Sequence, residues 1–341
     1  MTLDAQHDSA EERSRARQVL SQLVSGPIIN RSELALLGFI AAVCLAMTIW
    51  HPDDFATWSN VQNMARQGAV LGVVAIGQMF TLLVGGFDIS VGSLMGVSSV
   101  VGVDVMLDHG LVVGLIAGVA VAGFLGLVNG ILIARFGLSA FVVTLGMLSF
   151  ARGLALELTG GTPITGPPES FGWFGARDWG EIPATVGIAA IVALLAALIL
   201  SLSRMGMYFY SIGSNERASR LAGINVTRYK VLAYVLSGAL AGVAGLMLSS
   251  RVASGQPSLG DGYELQSIAV AVIGGVAIGG GKGRLQGVFL GLVFITVITS
   301  GLNIAEVSTF IQQMVIGALI VFAVLWDRFQ TRGGNQDEVP A

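Results

Sequence analysis

The stretch "LVVGLIAGVAVAGFLGLVNGILI", residues 111–133, contains no ionisable side chain. Wound as a helix at about 1.5 Å per residue, it is long enough to cross a hydrocarbon core of about 30 Å. Comparable runs recur along the chain, at 34–50, 68–84, 89–107, 138–158, 184–202, 231–249, 265–281, 285–302 and 310–326. Spans of this kind leave few architectures open, because backbone polar groups in lipid must be paired within the protein. The fold expected is all-α and polytopic, with about ten transmembrane helices. Composition agrees: 11% of the 341 residues are charged and 54% are hydrophobic, whereas soluble domains carry roughly a quarter charged residues. So few charges cannot coat a soluble globule of this length. The 47 glycines suit closely packed membrane helices, where small residues let backbones approach.

Basic residues set the expected orientation. With the N-terminus inside and spans alternating, inner segments hold 14 of the 18 Lys and Arg residues. They include Arg13, Arg15 and Arg17 near the start, Arg135, Lys282 and Arg284, and a cluster between 203 and 230. Outer segments hold Arg66, Arg177 and Arg251, and Arg152 falls within a span. Both termini are therefore expected in the cytoplasm, with an N-terminal tail at 1–33, a membrane-embedded body at 34–326 and a C-terminal tail at 327–341. No short apolar core with a small-residue cleavage site opens the chain, so the first run is expected to be an uncleaved anchor. The outer loop 159–183 is rich in Gly, Pro and aromatics, and Trp173, Phe174 and Trp179 suit a membrane–water interface.

The inner segment "SNERASRLAGINVTRYK", 214–230, reads as a short helix. Ser214 is the expected N-cap, and Glu216 lies in the first turn, where the helix dipole favours negative charge. Arg217 and Arg220 share one face, Ala218, Leu221 and Ala222 another, and Gly223 marks the stop. About two turns are too few to be stable alone. Two readings stand: arginines that fix topology at lipid phosphates, or a helix presented to a cytoplasmic partner.

Few residues offer chemistry. His7, His51 and His109 lie outside the spans and apart, and the single cysteine, Cys44, lies in the first apolar run; no metal site is expected. "GGVAIGGGKG", 274–283, is not a phosphate loop, since Val276 stands where its first glycine belongs and Gly283 where Ser or Thr must follow the lysine. Close helix packing at a sharp turn explains its glycines. Within or near spans lie Asp88, Asp104, Arg152 and Glu157; such charges face a bundle interior or a water-filled cavity. Asp88, Arg152 and Glu157 could line a pathway or serve local roles such as capping a broken helix. "LLVGGFDISVGSL" around Asp88 could be a turn between helices or a partly re-entrant segment. "VGGFDISVG" (84–92) and "IGGVAIGGG" (273–281) share the pattern V/I-G-G-x-x-I-x-x-G. Transporters often contain repeated halves, and chance is an equal explanation in so glycine-rich a chain.

Four stretches carry a family likeness: "IGQMFTLLVGGFDISVGS" (76–93), "NGILIARFGLSAFVVTLGMLSFARG" (129–153), "GSNERASRLAGINVTRYK" (213–230) and "SGQPSLGDGYELQSIAVAVIGGVAIGGGKG" (254–283). Together they resemble the membrane permeases of sugar-importing ATP-binding-cassette systems of the ribose type, from about residue 60 to 325. The resemblance implies a bacterial inner-membrane permease for a monosaccharide or similar polyol, which is not itself an enzyme. It implies a second permease copy, the same chain or a paralogue, as well as a soluble external sugar-binding protein and a cytoplasmic double-cassette ATPase that holds the ATP and Mg. Nucleic acid is not an implied partner. In that light Ser214, Asn215, Glu216, Arg217, Ala218, Arg220, Leu221 and Gly223 form the coupling element. Asp88, Ser90, Ser93, Asn129, Gln266 and Ser267 are the pathway candidates. The alternatives are the same machinery with nucleoside or branched-chain amino acid cargo, an ion-coupled secondary transporter, and a membrane enzyme.

Overall fold

A computed structural model describes residues 31–333. Of the tails expected at 1–33 and 327–341, residues 1–30, with Arg13, Arg15 and Arg17, and 334–341 lie outside the described residues, whereas 327–333 continue the last helix. The chain forms helices α1 (Arg31–Trp50), α2 (Trp58–Leu83), α3 (Val91–His109), α4 (Leu111–Ala134), α5 (Ala140–Thr159), α6 (Ala184–Leu202), α7 (Arg204–Ser214), α8 (Glu216–Leu221), α9 (Val226–Val252), α10 (Tyr263–Ile273), α11 (Leu285–Ile304) and α12 (Thr309–Gly333). Four two-residue strands form two small ladders, β1 (Ile164–Thr165) with β4 (Ser254–Gly255) and β2 (Asp178–Trp179) with β3 (Ile182–Pro183). Among the described residues, eight helices are long and apolar enough to span a membrane.

The core is built on α2, α3, α4 and α9. From Gly68 to Leu83 every residue of α2 is buried, so this helix has no lipid-facing surface over more than half its length. The α4–α9 contact depends on small residues: a methyl at Gly126 would stand 2.4 Å from Tyr234 O, and one at Gly238 2.4 Å from Ala122 O. Backbones this close leave no room for side chains, the arrangement by which membrane helices gain dispersion contacts. Ser98 Oγ ties α3 to α9 by donating to Gly242 O at 2.9 Å.

Two expected spans differ. The run 265–281 is only partly helical: α10 has 11 residues, about 16 Å of rise and half a bilayer. Val, Ala and Ile keep the following stretch apolar, but the helix ends at Gly275, whose φ of +82° takes the chain out of the right-handed helix. Before α10, residues 254–262 run in extended and turn conformation alongside α3, with Gly255 at Ser99 and Val103, Pro257 at Gly96, and Gly260 at Gly92. In α12 the apolar part, Thr309–Phe322, is also shorter than a full crossing, although the helix continues to Gly333. Residues 203–230, read from sequence as a loop with one short helix, hold two, since the amphipathic α7 buries Phe209 and Ile212.

The V/I-G-G echo has a structural counterpart. Helix α2 ends with Gly86 N donating to Thr81 O and Gly85 N to Leu82 O; α10 ends with Val276 N donating to Ala271 O and Gly275 N to Val272 O. Both are the same double-bonded terminus around a left-handed glycine. The glycines that play this part, Gly85 and Gly275, are out of step by one residue in the sequence alignment of the two motifs.

The helix packing predicts that Gly238→Val costs about 1–3 kcal/mol of stability, because Ala122 O cannot move away. Thermal denaturation in detergent checks this, with Gly38→Val, which meets no atom within 4 Å, giving a much smaller shift.

Candidate functional site

Three polar clusters interrupt the apolar bundle. The first lies at the end of the bundle where α2, α7 and α10 finish and α3, α4's C-terminal turn and α9 meet the basic residues. Here α8 is capped by Asn215, whose Oδ1 accepts from Ala218 N at 2.9 Å. The N-cap is thus Asn215 and not Ser214: Asn215 has the extended backbone a cap requires, whereas Ser214 is the last residue of α7. Gly223, at φ +83°, ends α8 as expected, with Ile224 N donating to Ser219 O at 3.1 Å. Glu216 Oε1 accepts from Arg220 Nη2 at 2.9 Å and Oε2 from Lys230 Nζ at 2.6 Å, which pins α8 to α9. The Lys230 hydrogen bond, aided by Arg220, holds the Glu216 carboxyl below the ordinary glutamate range against the opposing effect of partial burial. Ser219 faces inward, while Arg217, Ala218, Ala222 and especially Leu221 face outward; Leu221 is 85% exposed. Beside α8 lies an open cavity of about 540 Å³, bordered by Gly85, Gly86, Arg135, Glu216, Arg220 and Lys230.

The second cluster surrounds Asp88 in the turn 84–90. Asp88 Oδ1 accepts from Ser90 N at 2.9 Å and Ser90 Oγ at 2.5 Å, and Oδ2 from Ser237 Oγ at 3.2 Å. Asn129 Nδ2 donates to Ser90 Oγ at 3.0 Å, and Ser93 Oγ to Ser90 O at 2.8 Å. With its amide oriented to suit its neighbours, Gln78 donates to Asp88 O and accepts from Asp88 N, both at 3.1 Å. Tyr234 OH donates to Phe87 O at 3.2 Å. The sequence therefore named a set that the fold brings together: Asp88, Ser90, Ser93 and Asn129 form one network. All four are fully buried, however. The turn leads from one helix to the next, as one sequence reading held, and its polar groups bond within the chain. Gln266 and Ser267 lie apart on α10, where Ser267 is buried and donates to Glu264 O at 3.0 Å.

The third cluster was only half legible. Arg152 sits 12 residues into α5, about 18 Å from its start and about 10 Å, two turns, from its end. Its guanidinium donates to Pro257 O and forms an ion pair with Asp261, both on the non-helical segment 254–262. Arg152's side chain is 19% exposed, but that of Asp261 is 67% exposed. Nearby, Glu264 Oε1 accepts from Gly262 N at 3.2 Å. A different face of α5, formed by Gly146, Ser149, Gly153 and Glu157, is exposed. The sequence signal available was Arg152 itself: a cation within a span requires a partner, and "GDGYE" at 260–264 supplies two acids.

The chain matches a family model, branched-chain amino acid transport system / permease component, over residues 60–324. It belongs to that family. The permease is 37% identical over 303 residues to the ribose import permease protein RbsC of Escherichia coli strain K12, covering 87% of this chain and 93% of the relative. It is 39% identical over 273 residues to RbsC of Bacillus subtilis strain 168 (79% and 84% covered) and 34% identical over 301 residues to the L-arabinose transport system permease protein AraH of E. coli K12 (88% and 92%). No solved structure matches.

Two outcomes follow from these clusters. Asp88→Ala strands the Ser90 and Ser237 hydroxyls and should lower the permease's stability by about 1–3 kcal/mol, whereas Asp88→Asn keeps an acceptor and should cost less; thermal midpoints in detergent compare them. Because Glu216's pKa is depressed by folding, its contribution is present above the unfolded carboxylate's pKa and is lost as pH falls through the folded value. Amide-exchange protection of 216–221, corrected for intrinsic rates, should hold from neutral pH down and then drop below the ordinary range near about 4.3; Glu216→Gln should abolish that step.

Proposed function

We propose that the permease carries a monosaccharide into the cytoplasm, with two copies flanking one conduit and a separate ATPase driving the cycle from the basic end. The cargo reading rests on relatives that import ribose and arabinose by name, each aligned over most of both chains. The description of the matching family makes branched-chain amino acids the rival cargo.

The observation that carries the motor reading is the exposure of Leu221. A leucine projecting from a helix of six residues, flanked by alanines and ringed by arginines, gains nothing from water. It suits the apolar anchor of an interface whose rim is charged. The remaining basic residues of 203–230 support placing this end in the cytoplasm, and both termini with it.

For the conduit, the support now favours the Arg152–Asp261 pair over the Asp88 network. Buried groups bonded to one another hold a turn in shape. An exposed carboxylate paired with an arginine inside a spanning helix must face water or another chain, since hydrocarbon disfavours it strongly. Asp261, Glu157 and Ser149 offer donors and acceptors suited to a neutral polyol, and Gly146 and Gly153 leave space beside Ser149 and Glu157. Gln266, half-buried one turn beyond Gly262, stays in that set.

Reconstitution with the ATPase and binding protein tests each part. Leu221→Arg should leave insertion intact and release the ATPase during purification. Asp261→Ala should retain the ATPase yet lower sugar uptake about tenfold or more, and full uptake would remove Asp261 from the conduit. Labelled ribose and arabinose should be taken up without competition from leucine; competition would favour the amino acid reading.

A further inference from the structure

Immediately before α8, the backbone of Gly213 is pressed between two other segments. A methyl there would stand 1.9 Å from Leu83 O and 2.2 Å from Gly281 N, the two atoms that hydrogen-bond to each other at 3.0 Å. Added to Gly280 it would lie 2.8 Å from Gly85 N, and added to Gly281 it would lie 2.4 Å from Ser214 N. The end of α2, the end of α7 and the turn after α10 therefore meet backbone to backbone. Around this junction Tyr210 OH donates to Gly283 O at 2.9 Å, Ser214 Oγ to Gly281 O at 3.4 Å, and the Phe80 and Phe209 rings pack edge to face with centroids 5.8 Å apart.

We infer that this glycine junction transmits displacement of α8 to the turns 84–90 and 274–283, making Gly213 a positioning residue for the transport cycle. The inference rests on the proposed docking of the ATPase at α8. Long side chains at a contact can absorb a small shift by changing rotamer. Three backbones in contact have no such slack, and a close-packed interior passes strain onward. From turn 84–90 the movement reaches the N-terminus of α3 through the Asp88 network. From turn 274–283 it reaches α11, because Gly274 and Gly287 are packed so closely that a methyl on Gly274 would lie 2.4 Å from Gly287 O. Thus α3 and α11 are driven from one point. It also gives the glycines of "GGVAIGGGKG" a role that a phosphate loop does not.

The test is Gly213→Ala in the full permease, assembled with its ATPase and binding protein in proteoliposomes, against Gly38→Ala at an open site. The variant should still hold the ATPase and hydrolyse ATP at the basal rate, while stimulation of hydrolysis by sugar-loaded binding protein and uptake of labelled ribose both fall about tenfold. Gly38→Ala should change none of these. Retained stimulation and uptake would overturn the inference, as would loss of ATPase binding, which would mean that the junction only shapes the docking surface. Should Gly213→Ala fail to fold, Tyr210→Phe decides the matter: reduced stimulation with ATPase retained supports transmission, and unchanged stimulation or a lost ATPase refutes it. If the unaltered permease binds no ATPase, the docking proposal itself fails, an outcome separate from either result.

Discussion

In hydrocarbon, a backbone N–H or C=O without a partner costs several kcal/mol, and this permease breaks its helices twice inside the bundle. Each break is held by polar side chains assigned to it. In the turn 84–90, Gln78 takes both backbone groups of Asp88, and the Asp88 carboxylate in turn binds Ser90 and Ser237. In the segment 254–262, Ser99 Oγ accepts from Gln256 N, Arg152 donates to Pro257 O, and β1 pairs with Ser254 and Gly255. Without these partners the buried backbone groups of both segments would be left unpaired.

The two breaks differ in what they offer function. The first is sealed, and its network joins α2, α4 and α9 around the start of α3. The second reaches a surface and places a charged pair there. The sealed network keeps helices in register, and the open charged edge is the part assigned above to the proposed conduit. The glycine contact at the basic end lies against the sealed anchor, so a push at α8 meets the rigid side of the structure first.

Much of the fold was legible because hydrophobic length is a strong constraint in a bilayer. Helices α1 to α6, α9 and α11 follow the apolar runs closely. The extent of α10 was not legible, since Val276, Ala277 and Ile278 continue the apolar pattern while a positive φ at Gly275 ends the helix, and hydropathy carries no information on φ. Ser214 and Asn215 are both good caps, so choosing between them needed the backbone conformation that α7 imposes. Asp88, Ser90, Ser93 and Asn129 were named as pathway candidates under the family likeness, but their burial and their bonding to one another are features that hydropathy does not carry. Asp261 escaped notice because "GDGYE" looks like an ordinary loop until Arg152 is seen to reach it.

As proposed, the permease is a gate driven by a separate ATPase. Its most direct test is accumulation of labelled ribose by sealed proteoliposomes containing the purified permease alone, compared with vesicles that also contain the ATPase, internal ATP and external binding protein. Accumulation above the outside concentration only in the complete system is the predicted result. Concentration of sugar by the permease alone, with or without an ion gradient, would contradict it.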